Sequence, residues 1–348
     1  LEKDGSQMDF RQTYCFDDVL LTPKYSDIKS RSEISLKTKL SPTIDLGLPV
    51  ISSPMDTVTE SRMAIAMQKA GGLGVVHRYN TVERQAEFVR LATPSVNAVA
   101  AAVGVTGDFF ERAQEVVAAG ADVICIDIAH GHHVMMRDAL KKLRSHFPDE
   151  LHIMAGNVAT LQAFDELADW GANSIRVGIG GGSICSTRIV TGHGVPTLQS
   201  VLDCSISRHD VKIITDGGIK TTGDIVKAIA AGADFVMVGS MLAGTNETPG
   251  AVLETPSGEK YKEYRGMASK KAQHSWRGKS STPEGVSTTV PYRGSVKHSL
   301  QDIDGGLRSG LSYSGARTIK EFQNKASLIL QSGASQLESN THILWRNK

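Results

Sequence analysis

Cysteine is scarce. The four that occur, Cys15, Cys125, Cys185 and Cys204, form no CxxC or CxxH pair. That spacing excludes the common structural zinc sites and offers no disulfide framework. Thiols scattered through a long chain are expected of a reducing cytosol. Aromatic residues make up only 5% of the 348 residues, and the formal net charge is +1. A charge so close to balance gives no basic surface for nucleic acid. No apolar run reaches the roughly 18 residues of a membrane span, and no signal peptide is visible. The expectation is a cytoplasmic protein with neither nucleic-acid nor membrane partners. Leu1–Gln7 precede Met8 and read as a tag remnant. Glycine is plentiful, with 34 residues, and 40% of the chain is hydrophobic, enough for a sizeable core.

Short apolar runs alternate with amphipathic stretches along most of the chain. The runs are 48–53, 73–78, 98–104, 123–129, 152–157, 174–178, 212–216 and 235–239. Each is short and rich in Val, Ile or Ala, as strands buried on both faces must be. Between them, the patterns at 109–119, 160–170 and 225–231 have helical spacing and stop at Gly120, Gly171 and Gly232. The phrase Gly-Ala-Asp/Asn recurs after those helices, at Gly120-Ala121-Asp122, Gly171-Ala172-Asn173 and Gly232-Ala233-Asp234, which points to one connection used repeatedly. Eight strand–helix units predict an α/β fold, a (β/α)8 barrel. A doubly wound open sheet is the rival. The absence of GxGxxG after the first strand and the spread of polar residues over many strand ends favour the barrel. The expected layout is one catalytic barrel over 8–348, with an N-terminal extension and a flap at 245–293 after strand eight. A loop that long is expected to be functional.

In a barrel the C-terminal strand ends carry the chemistry. The sixth is followed by Gly178-Ile179-Gly180-Gly181-Gly182-Ser183-Ile184-Cys185, a glycine-dense loop carrying one thiol. Such a loop lets backbone groups converge on a small ligand and holds the thiol beside it. After strands seven and eight, Gly217 and Gly218, then Gly239 and Ser240, make a phosphate cradle, to which Ser183 can add a hydroxyl. Asp216 is a poor neighbour for an anion but suits the hydroxyls of a ribose. Phosphate plus ribose suggests a nucleoside monophosphate. Asp127 ends a buried strand and is either a cap for the next helix or a ligand for a ribose or amide. His130, His132 and His133 lack a neighbouring carboxylate in sequence, which argues against a metal.

These residues are recognisable together. Asp17-Asp18-Val19-Leu20-Leu21, Ile51-Ser52-Ser53-Pro54-Met55-Asp56, Asp127-Ile128-Ala129-His130-Gly131, the Cys185 loop, Asp216-Gly217-Gly218-Ile219, Val238-Gly239-Ser240-Met241 and Tyr264-Arg265-Gly266-Met267 resemble the IMP dehydrogenase and GMP reductase family. The resemblance implies a covalent mechanism in which Cys185 attacks C2 of a purine nucleotide. It implies nucleotide contacts at Ser53, Met55, Ser183, Asp216, Gly217, Gly218, Gly239, Ser240, Tyr264, Gly266 and Met267. A nicotinamide cofactor is implied near Asp127 and Ala129, with Arg78 and Arg277 toward its phosphates. A homotetramer is implied as well. Potassium is implied on the carbonyls of Gly180, Gly182 and Cys185, completed by Glu338, Ser339 and Asn340 of a neighbouring subunit.

Within the family, three features resemble the reductase, one of them the stretch Pro291-Tyr292-Arg293-Gly294-Ser295-Val296. Only 19 residues separate Arg78 from Ala98, so the tandem regulatory insert of most dehydrogenases is absent. Only 16 residues lie between Met267 and Glu284, without the Arg-Tyr pair that dehydrogenases use to activate water. Gly104-Val105-Thr106-Gly107-Asp108 and the tail Ser332-Gly333-Ala334-Ser335-Gln336-Leu337-Glu338-Ser339 resemble the dehydrogenase. The expectation is NADPH-dependent conversion of GMP to IMP and ammonia, with Thr187 and Glu284 as the proton relay. The alternatives are an NAD-dependent IMP dehydrogenase and a nucleotide sensor without catalysis; intact Cys185, Thr187 and Glu284 argue against the sensor.

Overall fold

A computed structural model describes residues 10–339. Among these, eight strands close into a barrel: Val50–Ser52 (β1), Leu73–Val76 (β2), Ala100–Val103 (β3), Val123–Asp127 (β4), His152–Val158 (β5), Ser174–Val177 (β6), Lys212–Asp216 (β7) and Phe235–Val238 (β8). Every neighbouring pair is parallel, and β8 pairs back onto β1 through Val236–Val50 and Val238–Ser52. The barrel therefore stands, and each predicted run contains one strand. No described helix is long and apolar enough to cross a membrane.

Strand alternation sorts the side chains into two shells. Ile51, Leu73, Val75, Ala100, Ala102, Val123, Cys125, Met154, Ile214 and Phe235 fill the barrel interior, joined by Leu40, Ile44 and Leu46 of the N-terminal extension. Their alternates, among them Ala101, Val103, Ile124, Ile126, Ile153, Ile175 and Val236, pack against the surrounding helices. Two residues beyond Cys125 on β4 is Asp127, and two beyond Ile214 on β7 is Asp216. The same inward register that buries the core delivers both carboxylates to the C-terminal mouth.

The recurring Gly-Ala-Asp/Asn phrase has a physical cause. Gly120, Gly171 and Gly232 take φ of +106°, +107° and +111°, where a side chain is strained. The Asp or Asn that follows accepts a backbone N–H at the start of the preceding strand: Asp122 from Val99 at 2.8 Å, Asn173 from Ile153 at 2.8 Å, and Asp234 from Ile213 at 2.9 Å. The phrase thus ends a helix and pins the base of two adjacent strands.

The segment after β8 differs from the long loop expected. It is built of structure: Leu253–Glu254 (β9), Lys260–Arg265 (β10) and Ser287–Pro291 (β11) form an antiparallel sheet, and Lys270–Arg277 is a helix. Lys262, 2% exposed, anchors the sheet by donating to the carbonyls of Thr245 at 3.1 Å and Thr248 at 2.6 Å. It precedes not a last helix but three, at 296–313, 319–325 and 333–338. Near the other end of the chain, Val19–Leu21 pairs antiparallel with Leu328–Leu330.

Candidate active site

A cavity of about 510 Å³ opens at the C-terminal end of the barrel and is roofed by residues of the flap. It is lined by Cys185, Thr187 and Glu284, by all eleven residues assigned above to the nucleotide, by Asp127, Ala129, Arg78 and Arg277, and by Gly180 and Gly182. Glu338 and Ser339 do not line it, and Asn340 lies outside the described residues. The tail helix Gly333–Glu338 instead lies by the turn Phe16–Asp18, with Gln336 Nε2 donating to Asp18 at 3.0 Å.

The floor of the cavity is an ion-pair network around Arg176, a residue to which the sequence alone gives no role. Its Nη1 lies 2.6 Å from Asp127 Oδ1, and its Nη2 lies 2.8 Å from Asp216 Oδ2. Asn157 Nδ2 adds a bond to the same Asp216 oxygen at 2.9 Å. Gly156 makes this possible, because a Cβ there would stand 2.6 Å from Arg176 Cβ. Burial works against the Asp127 charge, yet Arg176 and Arg78 more than offset it and hold its pKa below the ordinary carboxylate range. Burial likewise opposes the Arg176 charge, and the carboxylates of Asp216 and Asp127 overcome it. Asp127 is therefore committed to arginine. It does not cap the following helix, whose N-cap is His133. The available clue was register: an arginine inside Ser174-Ile175-Arg176-Val177 faces inward only if acids await it.

The nucleophile loop and the flap are stitched together. Ser186 N–H donates to the Glu284 carbonyl at 2.9 Å, and Val286 N–H donates to the Ile184 carbonyl at 3.0 Å. This bridge holds residues 284–286 alongside Cys185. The Cys185 thiol lies 3.1 Å from Thr187 Oγ1. Among the described residues, no hydrogen bond joins the Thr187 and Glu284 side chains; both line the cavity, and the backbone bridge sets Glu284 beside Ser186. Of the other thiols, burial pushes Cys125 and Cys204 up to about 12, so both stay protonated and unreactive.

Around the expected cradle, a Cβ on Gly239 would lie 3.2 Å from Tyr264 Oη, 3.2 Å from Met55 Sδ and 3.4 Å from Ser53 Oγ. Four predicted nucleotide contacts thus crowd one point, and a side chain in place of Gly239 would press on the other three. Met267 Sδ accepts the Asp56 N–H at 3.3 Å, which ties the base of the flap to the end of β1.

Arg78 sits in an aromatic clamp. Its guanidinium carbon is 4.9 Å from the Tyr79 ring and 5.9 Å from the Trp276 ring, and the two rings meet edge-on at 5.1 Å. Tyr79 Oη donates to Asp127 Oδ2 at 3.3 Å, and burial pushes its phenol pKa up. Arg78 Nε and Trp276 Nε1 are buried without a hydrogen-bond acceptor. Arg78 Nε lies 3.7 Å from Asp127 Oδ2, and Arg78 Nη2 donates to the Asp127 carbonyl at 3.1 Å. Tyr79 and Trp276 were not anticipated; only their neighbours Arg78 and Arg277 were. His132, which has no carboxylate nearby in sequence, meets Glu166 at 3.0 Å across the fold. No described group of three or more His, Cys, Asp or Glu is placed to hold a metal.

Comparison with known proteins adds to this geometry. The IMP dehydrogenase / GMP reductase domain matches residues 13–342. An inosine-5′-monophosphate dehydrogenase of Nitrosopumilus maritimus is 36% identical, covering 96% of this chain and 99% of the relative. A GMP reductase of Leishmania major is 33% identical, covering 97% and 98%. The crystal structure of a cysteine-to-alanine variant of GMP reductase from Trypanosoma brucei, in complex with guanosine 5′-monophosphate, superposes with a TM-score of 0.91 at 31% identity, over 96% of this chain and 98% of that one.

Proposed function

This chain belongs to the IMP dehydrogenase / GMP reductase family, and we propose that it is the reductase: GMP is converted to IMP and ammonia, with NADPH as reductant. The observation that carries this choice is the lack of a water-activating pair. The segment 268–283 holds one arginine, Arg277, and no tyrosine. Arg277 lies over Trp276, its guanidinium carbon 4.1 Å from the ring. Among the described residues, two tyrosines reach the cavity, Tyr79 and Tyr264. Burial raises the pKa of both, and Tyr79 donates a hydrogen bond to Asp127, so both phenols keep their protons and neither is a base for hydrolysis.

In this reading the Cys185 thiolate adds to C2 of the guanine. The 2-amino group leaves as ammonia after accepting a proton through Thr187 and Glu284, and a thioimidate remains. The nicotinamide, when bound, supplies a hydride to C2, and Cys185 is released as thiolate with IMP. Asp216, held by Arg176 and Asn157 through Oδ2, offers Oδ1 to the ribose. Gly217, Gly218, Gly239, Ser240, Ser183 and Tyr264 take the phosphate. The cofactor's amide side would lie near Asp127 and Ala129, with Arg78 and Arg277 toward its phosphates. Carbonyls of Gly180, Gly182 and Cys185 are the hard oxygen donors that a potassium ion takes. Glu338, Ser339 and Asn340 would complete it from a second copy in a tetramer.

A second reading, IMP dehydrogenase, is favoured by the similar identity to dehydrogenase relatives. The two are separated by following reduced cofactor with GMP plus NADPH and with IMP plus NAD. The reductase consumes NADPH and makes XMP very slowly. Glu284→Gln should slow deamination by about 10²–10⁴-fold, the range for a lost acid–base group, and slow the hydride step less. XMP formation at a rate comparable to GMP reduction would overturn the assignment.

A further inference from the structure

The nucleophile loop has a second side. Gly181 and Ser183, with Gly218 and Ile219 from the loop after β7, wall both the main cavity and a smaller chamber of about 220 Å³. Cys15, Phe16, Asp17, Arg188, Pro196, Thr197 and Lys220 complete the chamber. No step of the proposed reaction uses it.

Three observations point to a negatively charged occupant. Thr197 is 4% exposed, and its hydroxyl has no hydrogen-bond partner. That oxygen is wedged between the two loops: a Cβ on Gly181 would stand 2.3 Å from it, and one on Gly218 would stand 3.5 Å away. A buried hydroxyl is expected to be satisfied by something, and an unmade bond is costly. Second, Thr197 opens the helix Thr197–Cys204, whose cap is Pro196 and has no side-chain acceptor. Gln199 N–H goes to the Tyr14 carbonyl at 3.2 Å, while those of Thr197 and Leu198 have no acceptor among the described residues. The electropositive end of the helix is thus uncapped at the chamber wall. Third, two cations stand at the rim. Lys220 pairs with Asp17 at 2.6 Å. Arg188 spends one nitrogen on the Val195 carbonyl at 2.8 Å and has no carboxylate partner among the described residues. Asp18 is turned onto the Cys15 N–H at 2.7 Å and does not line the chamber.

We propose that this chamber is a second oxyanion site that takes a phosphate dianion behind the nucleophile loop. The donors are the Thr197 hydroxyl and N–H at the helix start and the Arg188 and Lys220 side chains. The volume is below the roughly 300 Å³ at which pockets for whole small molecules begin, so the occupant is an ion or the phosphate end of a larger molecule left in solvent. Because Gly181 and Ser183 belong to the Cys185 loop, an occupant braces that loop from behind.

The test is calorimetric titration of the full chain with inorganic phosphate, alone and with GMP at saturation. Two classes of phosphate site are expected, of which GMP removes one. The surviving class should weaken about tenfold in Thr197→Val, an isosteric loss of one hydroxyl. It should weaken at least as much, with a shallower salt dependence, in Arg188→Gln and in Lys220→Gln. These three variants should leave the GMP-sensitive class within about threefold of wild type, the scatter of independent sites. Displacement of the surviving class by ribose 5-phosphate supports a phosphate ester as occupant, and displacement by sulfate alone supports a free ion. Absence of any class that survives GMP, or a surviving class indifferent to all three variants, would overturn the proposal. If GMP removes neither class while one still depends on Thr197, the nucleotide reading fails and the oxyanion site stands.

Discussion

Replacing Arg176 by Met tests how the cavity floor is held. The guanidinium is 6% exposed and is shared by Asp127 at 2.6 Å and Asp216 at 2.8 Å. Met fills similar space but leaves both carboxylates with weaker partners. Asp127 would keep Tyr79 at 3.3 Å and Arg78 at 3.7 Å; Asp216 would keep Asn157 at 2.9 Å. Removing one member of a buried ion pair costs about 3–5 kcal/mol, a large share of the roughly 5–15 kcal/mol that holds most domains folded. The loss should depend on pH with a definite sign. In the wild type, Asp127 has a depressed pKa, so its contribution is present above the ordinary carboxylate value of about 3.9 and is lost as pH falls through the folded pKa. In the variant, burial dominates and the pKa rises, so protonation relieves the buried charge as pH falls. The deficit should therefore be largest at neutral pH and shrink toward pH 5. Urea unfolding followed by near-ultraviolet circular dichroism at both pH values measures it. A deficit under about 1 kcal/mol at neutral pH, the level of an exposed pair, or one that fails to narrow in acid, would refute the network as described.

Cys185→Ala should abolish turnover and leave nucleotide affinity near wild type, since the cradle residues are elsewhere; steady-state turnover within about tenfold of wild type would remove the covalent step. Guanosine should be turned over far less efficiently than GMP, because the cradle loses its charge-assisted bonds; equal efficiency would give the cradle another role. His152, at the base of β5, is pushed down to about 3 by burial and by Arg144. Between that value and about 6.5, the unfolded chain binds a proton that the native state refuses, so stability falls with falling pH by up to ~1.4 kcal/mol per unit. His152→Gln should flatten the decline between pH 7 and 5 in denaturant melts, and parallel slopes in the two proteins would count against this.

Much was legible because barrels write themselves periodically. Apolar runs of strand length, helices of 3.6-residue spacing and the thrice-used Gly-Ala-Asp/Asn phrase depend on neighbours in sequence, and each run proved to hold a barrel strand. The glycine-dense Cys185 loop and the strand-end glycines were readable for a similar reason: their chemistry is local. The flap reads as a loop in sequence because its strands, Lys260–Arg265 and Ser287–Pro291, pair across a gap in sequence and carry few apolar residues. Their main internal anchor, Lys262, looks like any surface lysine until two carbonyls of the Thr245–Thr248 turn converge on it.

What composition and order determined, then, is the barrel, the thiol on its loop and the family chemistry attached to those motifs. Tertiary structure alone decided how the acids are spent. Asp127, Arg176 and Asp216 lie 40 to 89 residues apart and are joined only because three strands share one inward register. Sequence could place each at a strand end, but not say that Arg176 would claim both carboxylates, or that Gly156 would clear the space. Trp276 on the flap and Tyr79 on the barrel likewise meet only after folding. An ion pair or a ring contact depends on distance in space, and closing the barrel sets those distances.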